Sequence, residues 1–415
     1  MEIQGNRPAP TPGLMARLRH WLRPVTETRG AETRGVRPGR AVVAWGEPAG
    51  ARWTARRYAT LADEGYARNV VVHRAVSLVA RSVAAIPWIM RNAEGAEIEV
   101  AGFTALMRRP NPRDQGIAFR EAVTAHLLIA GNAYVEAVGP GPRPRELHLL
   151  RPDRVTVRPG PGGVPAGYDY REGEETRFIP ADALTGQSAI LHLKTFHPLD
   201  DWHGLPALEA AAQAIDQHNA AGAWNKALLD NAARPSGALV YQPKEGPAVL
   251  ADDQFDRLKA EIAEQFEGAR NAGRPLLLDG GLDWRPLSLS PSEMDWIEGR
   301  NAAAREIALA FGVPPQLVGV PDAQTYANYA EARLALYEDT VVPLAQAMAG
   351  AFARAFGPGF GIAALEPDLD EIPALEPRRA ERWAKVRAAA DLTRDERRAA
   401  LGYSPLSSND DKVTR

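Results

Sequence analysis

Hydrophobic residues recur along this chain with two different periods, and the switches between them mark its elements. Val72, Ala75, Val76, Val79, Val83 and Ile86 fall on one face at helical spacing. Pro87 ends that run, because proline lacks an N–H and clashes with the preceding turn. Ahead of it, residues 41–65 carry short strand signals, AVVAW and then ARWTA. WIMR and AEIEV flank the turn-like Asn92-Ala93-Glu94-Gly95 and predict a β-hairpin. Pro110-Asn111-Pro112 is a rigid break, and a helix resumes from Ala118 to about Ile129, with Phe119, Val123 and Leu127 aligned. From 131 to 197 the period becomes two. AYVEAV, ELHLL, RVTVRP, YDYRE, TRFI and AILHLKTF, divided by Gly/Pro clusters, predict a small, mostly β subdomain inserted between two helices. The second of those helices is Ala-rich and runs from Leu205 to about Asn231, with Pro206 in its first turn and Leu205, Leu208, Ala212 and Ile215 on one face.

Arg234-Pro235-Ser236-Gly237 breaks that helix. ALVYQP then reads as a strand, 252–267 as an amphipathic helix, and PLLLDGGLDWRPLSL as two strands joined at Asp279-Gly280-Gly281. The stretch 292–356 holds two helices around a strongly marked loop, which by its residues alone reads as a connection tucked over a core. In the first helix Ile297, Ala304, Ile307, Ala308 and Phe311 share a face, and Gly312 with Pro314-Pro315 stops it. The second starts near Tyr326 and carries the stripe Val341, Ala345, Met348, Phe352 and Phe356, with Pro343 placed to kink it. Gly357-Pro358-Gly359 ends the main body, and the acidic, Pro-rich EPDLDEIPALEP reads as a linker. Charged helices over 378–390 and 394–401 follow, the second opened by a Thr393/Glu396 capping box.

Length, charge and chemistry then narrow the function. A chain of 415 residues folds as two or three domains, and 45% hydrophobic with 24% charged residues is a soluble, globular composition. The net charge of −3 carries no whole-chain signature of tight nucleic-acid binding. With no cysteine there is no disulfide, thiolate nucleophile or Cys-ligated metal. No apolar run reaches a membrane span and no signal peptide is visible, so the expectation is a protein made in a cytoplasm-like compartment. Phosphate-loop, H-E-x-x-H and G-x-S-x-G motifs are missing, and no cofactor is expected. One ligand-like cluster stands out: His192, His197, Asp200, Asp201 and His203. It has two readings, a divalent-metal site serving a nucleic-acid or phosphoester hydrolase, and a hydrogen-bonded polar loop at a strand end.

REIALAFGVPPQLVGVPDAQTYANYAEA, at 305–332, resembles the helix–loop–helix of HK97-type tailed-phage portal proteins. LMRRPNP at 106–112, GNAYVEA at 131–137, NAARPSGALV at 231–240 and NAGRPLLLDGGLDWRPLSLSP at 271–291 match the same family in the same order. FHPLDDWHG at 196–204 and WNKALLDNAARPSG at 224–237 are similar to portals of phage-like gene transfer agents.

The resemblance implies an α+β, multi-domain portal-type fold of wing, stem, clip and crown, assembled as a dodecameric ring around a central channel. It implies a structural protein, not an enzyme, at one capsid vertex of a phage-like particle. The ring would pass double-stranded DNA without sequence specificity and contact the terminase large subunit, the major capsid protein and the head–tail adaptor. Carried onto this chain, it implies a basic arm at 1–40, wing at 41–115, stem helix at 116–138 and clip at 139–203. A second stem helix at 204–233, more wing at 234–371 and crown at 372–415 complete the set. The loop at about 313–328 would be the tunnel loop, with Gln316, Leu317, Val318, Val320, Pro321, Gln324, Thr325, Tyr326 and Asn328 along the DNA channel. Val313 to Gln324 contains no Lys or Arg, so such a loop would touch DNA without trapping its phosphates.

Overall fold

The computed structural model describes residues 58–182, 184–230, 237–241, 256–257, 282–286, 296–320 and 326–403. The basic arm, both short strand signals, most of the 252–267 helix and the first strand of the 275–286 hairpin lie outside them. The chain divides into two compact units. The described part of the smaller one falls within 238–285, and the larger one holds nearly everything else.

Residues 58–67 are helical, a short α-turn (Tyr58–Thr60) running into a π-helical segment (Leu61–Ala67). The two strand signals named within 41–65 end before residue 58 and are not tested by this helical segment. Helix α1 (Val70–Ala85) opens on Asn69, whose Oδ1 accepts from the backbone N–H of Val71 at 3.0 Å and Val72 at 3.2 Å. Its stripe Val72, Ala75, Val76, Val79 and Val83 is fully buried. β1 (Trp88–Arg91) and β2 (Glu97–Ile98) form the expected antiparallel hairpin. Helix α2 (Ala101–Arg108) has no counterpart in the sequence reading: only Phe103 and Leu106 anchor it, too few to show a period. The Pro-Asn-Pro break is pinned by Asn111, which accepts from the backbone N–H of Arg113 and Asp114 and donates to the Leu147 carbonyl. Helix α3 (Gly116–Ala130) packs along α1.

The β region does not form an independent subdomain. β3 (Asn132–Val138) pairs antiparallel with β4 (Glu146–Leu150), then β5 (Val155–Arg158), β6 (Gly167–Glu172) and β7 (Glu175–Pro180) form a meander, and β8 (Ile190–Lys194) returns to the other edge of β3. Alternation along β3 divides its two faces. Ala133 and Val135, with Leu147, Leu191 and Leu193, join the core that holds α1 and α3. Tyr134 faces the other way, into a smaller cluster with Leu150, Val155, Val157, Tyr168, Ile179 and Ile190. The expectation of an inserted unit over 139–203 is thus corrected: β3 is covered on both faces and ties the meander to the main core.

Helix α4 (Ala207–Ala210), with Pro206 at its N-cap, breaks at Ala211 before α5 (Ala212–Asp230). β9 (Gly237–Tyr241) and β10 (Leu282–Pro286) pair with each other in the smaller unit. Helix α6 (Trp296–Ala310) packs on α5, so the chain leaves and re-enters the larger unit through two packed helices. Ala304, Ile307, Ala308 and Phe311 are buried as their spacing requires, but Ile297 is 78% exposed, since the first turn of α6 runs beyond the core. Helix α7 (Tyr326–Leu336) continues through a π-helical segment (Tyr337–Val341) into α8 (Val342–Phe360). Where Pro343 was expected to kink the helix, the chain is π-helical: the proline cannot donate to the turn before it, and the helix widens there. The body does not end at Gly357; α8 runs through Pro358 and is capped by left-handed Gly361.

The acidic stretch after α8 is not a linker. β11 (Ala364–Pro367) pairs antiparallel with β1, from Trp88↔Pro367 to Arg91↔Ala364, and Leu365 and Ile372 are buried. Helices α9 (Glu376–Ala388) and α10 (Arg394–Ala400) follow, and the Thr393/Glu396 capping box is present.

One junction carries an unusually close backbone approach. A Cβ on Gly204 would stand 2.1 Å from the Gly131 carbonyl oxygen and 2.6 Å from the Thr195 nitrogen. Gly204 N–H donates to Asn132 Oδ1 at 2.8 Å, so the loop cannot retreat without losing that bond. Gly204→Ala is expected to lower folding stability by about 1–3 kcal/mol as an overpacked site. Urea unfolding would read this as an earlier midpoint.

Candidate functional site

The loop between α6 and α7 is built on short-range bonds and long-range anchors. Val313 N–H donates to the Ala308 carbonyl at 2.9 Å, closing the end of α6. A 3₁₀ turn (Pro315–Val318) follows, with Leu317 N–H donating to Pro314 at 2.9 Å and Val320 N–H to Pro315 at 3.2 Å. From outside the loop, Arg74 Nε on α1 donates to the Leu317 carbonyl at 3.3 Å, and Thr340 Oγ1 donates to the Gly312 carbonyl at 2.7 Å. The described part of the loop, 313–320, carries no charged side chain.

The residues read as channel-lining separate into three groups. Leu317 and Val320 are buried in the main core with Val313, and Val318 is half-buried against it. The expectation that Val318 and Val320 face a solvent-filled channel is corrected for Val320 outright and for Val318 in large part. Val313 precedes an extended Pro314 and Val320 follows a left-handed Gly319, so the turn and not a helical face directs all three side chains inward. Gln316 is half-buried, and its Oε1 has no hydrogen-bond partner. Pro321, Gln324 and Thr325 lie outside the described residues. Tyr326 opens α7, and Asn328 is exposed on it. Sequence reasoning missed Arg74 and Thr340, and no local signal marks either: Arg74 lies 243 residues from the carbonyl it holds.

The His/Asp cluster is engaged in holding its own loop. His192 stacks on Tyr134 with ring centroids 4.3 Å apart and meets Tyr168 edge-on at 5.9 Å. Its Nε2 lies 3.0 Å from Asn132 Oδ1, which only accepts, so that nitrogen carries the proton. Burial, then the nearby Lys194 and His203, push its pKa down to about 3 and keep the ring neutral. Asp200 Oδ1 accepts from the backbone N–H of Trp202 at 2.7 Å and His203 at 3.1 Å, while Oδ2 pairs with His203 Nδ1 at 3.0 Å. Burial alone would raise the Asp200 pKa, but these bonds hold it below the usual carboxylate value. Among the described residues no group of three His, Asp or Glu is placed to hold a metal ion. Nor is any described helix long and apolar enough to cross a membrane.

The model of the phage portal protein family matches residues 70–402. The chain belongs to that family. Within it, the portal protein of Enterobacteria phage HK97 is 26% identical over 322 residues, covering 74% of this chain and 68% of that protein. An uncharacterized protein of Rickettsia bellii is 40% identical over 349 residues, 84% of this chain and 90% of its own length. A chain in the neck of a native gene transfer agent particle, computed with C12 symmetry, is 47% identical. The match covers 86% of this chain and 97% of that one, with a TM-score of 0.65.

Proposed function

We propose that this chain is the portal subunit of a phage-like particle of the gene transfer agent kind. Twelve copies close into a ring at one capsid vertex, and double-stranded DNA enters and leaves through its channel. The observation that carries this reading is the 47% identity over 86% of the chain to a protein of a C12 neck. In this reading the terminase large subunit supplies ATP hydrolysis, and the major capsid protein and head–tail adaptor dock on the ring. The chain itself acts as a structural conduit without catalysis of its own. The loop at about 313–328 is the tunnel loop, with Val313, Leu317 and Val320 as its anchors.

The smaller unit supports a revised domain assignment. Its described residues lie in the sequence between α5 and α6, which pack together. We therefore assign the clip to about 238–285 and the two stem helices to α5 and α6. Residues 139–203 belong with the wing, and α9 and α10 with the crown.

The purified protein, viewed by electron microscopy, should show twelvefold rings with a central hole. A protein that stays monomeric at every concentration and salt, with capsid protein present as well as absent, would count decisively against the reading.

A further inference from the structure

The loop that follows β8 presents two large apolar side chains to solvent: Phe196 is 84% exposed and Leu199 is 91% exposed. They are not on a slack segment. The Asp200 turn, the Leu199 N–H donating to His197 Nδ1 at 3.0 Å, and Lys194 Nζ donating to the Asp201 carbonyl hold the loop in shape. Burying such side chains is favourable, so a braced loop that displays both has a surface to be covered. The Asp201 carboxylate is exposed beside them.

A cavity of about 850 Å³ lies elsewhere on the larger unit, walled by Trp88, Met90, Phe103, Met107 and Ile117. Ile117 is itself 59% exposed at its mouth. The rim is cationic: Arg108, Arg109 and Arg113 are exposed, and among the described residues none of the three pairs with a carboxylate. Arg120 reaches over Trp88 at 5.3 Å from the ring centroid. Asp114 is the one lining carboxylate, and Asn111 Nδ2 already donates to it at 2.9 Å. Arg120 is held in place by its Nη1, which donates to the Ile86 carbonyl at 2.8 Å.

The two features stand at opposite ends of one helix. Gly116, Ile117 and Arg120, at the start of α3, line the cavity. At its other end Gly131 accepts from Thr195 N–H at 2.9 Å, which places the Phe196 loop there. Fifteen residues of α-helix separate them by roughly 22 Å. A chain cannot reach its own cavity with its own loop, but a neighbour set head to tail can. That is the heterologous geometry that closes a ring.

We propose that Phe196 and Leu199 of one copy insert into the Trp88–Phe103–Ile117 cavity of the next, with Asp201 against the Arg108, Arg109 and Arg113 rim. The occupant is a second copy of this chain: one surface is apolar and presents the exposed Asp201 carboxylate beside Lys194, the other is apolar with a basic rim. The inference rests on the ring reading and names the contact that builds the ring.

The chain has no cysteine, which makes a direct test clean. Full-length protein carrying Ile117→Cys together with Phe196→Cys is treated with a bifunctional thiol cross-linker and run on a denaturing gel. Both positions are exposed, so folding should be unaffected. The expected result is a ladder of covalent multimers extending past the dimer, with neither single variant passing dimer. Phe196→Asp with Leu199→Asp should keep the wild-type melting profile and reduce the ring population at least tenfold. Rings that form without a ladder, or dimers alone from the double-cysteine protein, overturn this contact and leave the ring reading standing. Wild-type protein that never leaves the monomer overturns both.

Discussion

Val320→Arg should unfold the protein or leave it insoluble, with a stability loss on the order of 4 kcal/mol or more. Val320 is 4% exposed and shares its core with Leu317, Phe311 and Leu336. An arginine there must either bury an unpaired guanidinium or pull the 3₁₀ turn off the core. The second route costs the Val320 N–H bond to Pro315 and threatens the Arg74 bond to Leu317. In the tunnel-loop reading proposed above residue 324 meets DNA and not the core, so Gln324→Arg, four residues on, should leave the unfolding midpoint within about 0.5 kcal/mol of wild type. Chemical denaturation of the two variants side by side separates them. A stable, soluble Val320→Arg protein would show that the loop lifts away from the core, and the anchoring described above would be wrong.

How much of this was legible in the sequence depended on where each element's partner lies. The α1 stripe, the α8 stripe and the alternation of β3 were readable because periodicity alone tells a helix or strand which face is apolar. The Thr393/Glu396 box was readable because its partners are three residues apart. β11 was not, because its partner β1 lies 275 residues earlier, as with Arg91 and Glu366, and its acidic, Pro-rich flanks resemble a linker. Ile297 fits the α6 stripe in phase yet is exposed: period identifies a face but not how far along the helix that face is covered. The loop shows the reverse. By its residues alone it reads as a loop tucked over a core, and Val313, Leu317 and Val320 do pack inward. The channel-facing placement of Val318 and Val320 comes from the family resemblance, which carries no information on which side chains of a loop turn inward. The β region misled for a topological reason. Only the return of β8 to β3 shows that the meander is tied to the main core, and no local signal announces which strand a later strand will join.

Gln324→Arg, benign for folding, should be harmful for DNA transport. In the ring and tunnel-loop reading proposed above it would place about a dozen new cations around the channel, on a loop whose stretch from Val313 to Gln324 otherwise lacks Lys and Arg. Each phosphate neutralised adds about 0.9 to the slope of log affinity against log salt. Three simultaneous contacts would hold DNA about 40-fold more tightly at 50 mM salt than at 200 mM. DNA that must slide past the loop then pauses at each set of phosphates, so heads should assemble normally and fill slowly, with filling restored as ionic strength rises. Gln324→Glu supplies the control: it changes the same side chain, offers phosphate no attraction and should fill at the wild-type rate. If Gln324→Arg heads fill normally at every salt concentration, residue 324 does not meet DNA. If both variants lose the ring, the segment after Val320 is structural, and the channel contact must be sought on another element.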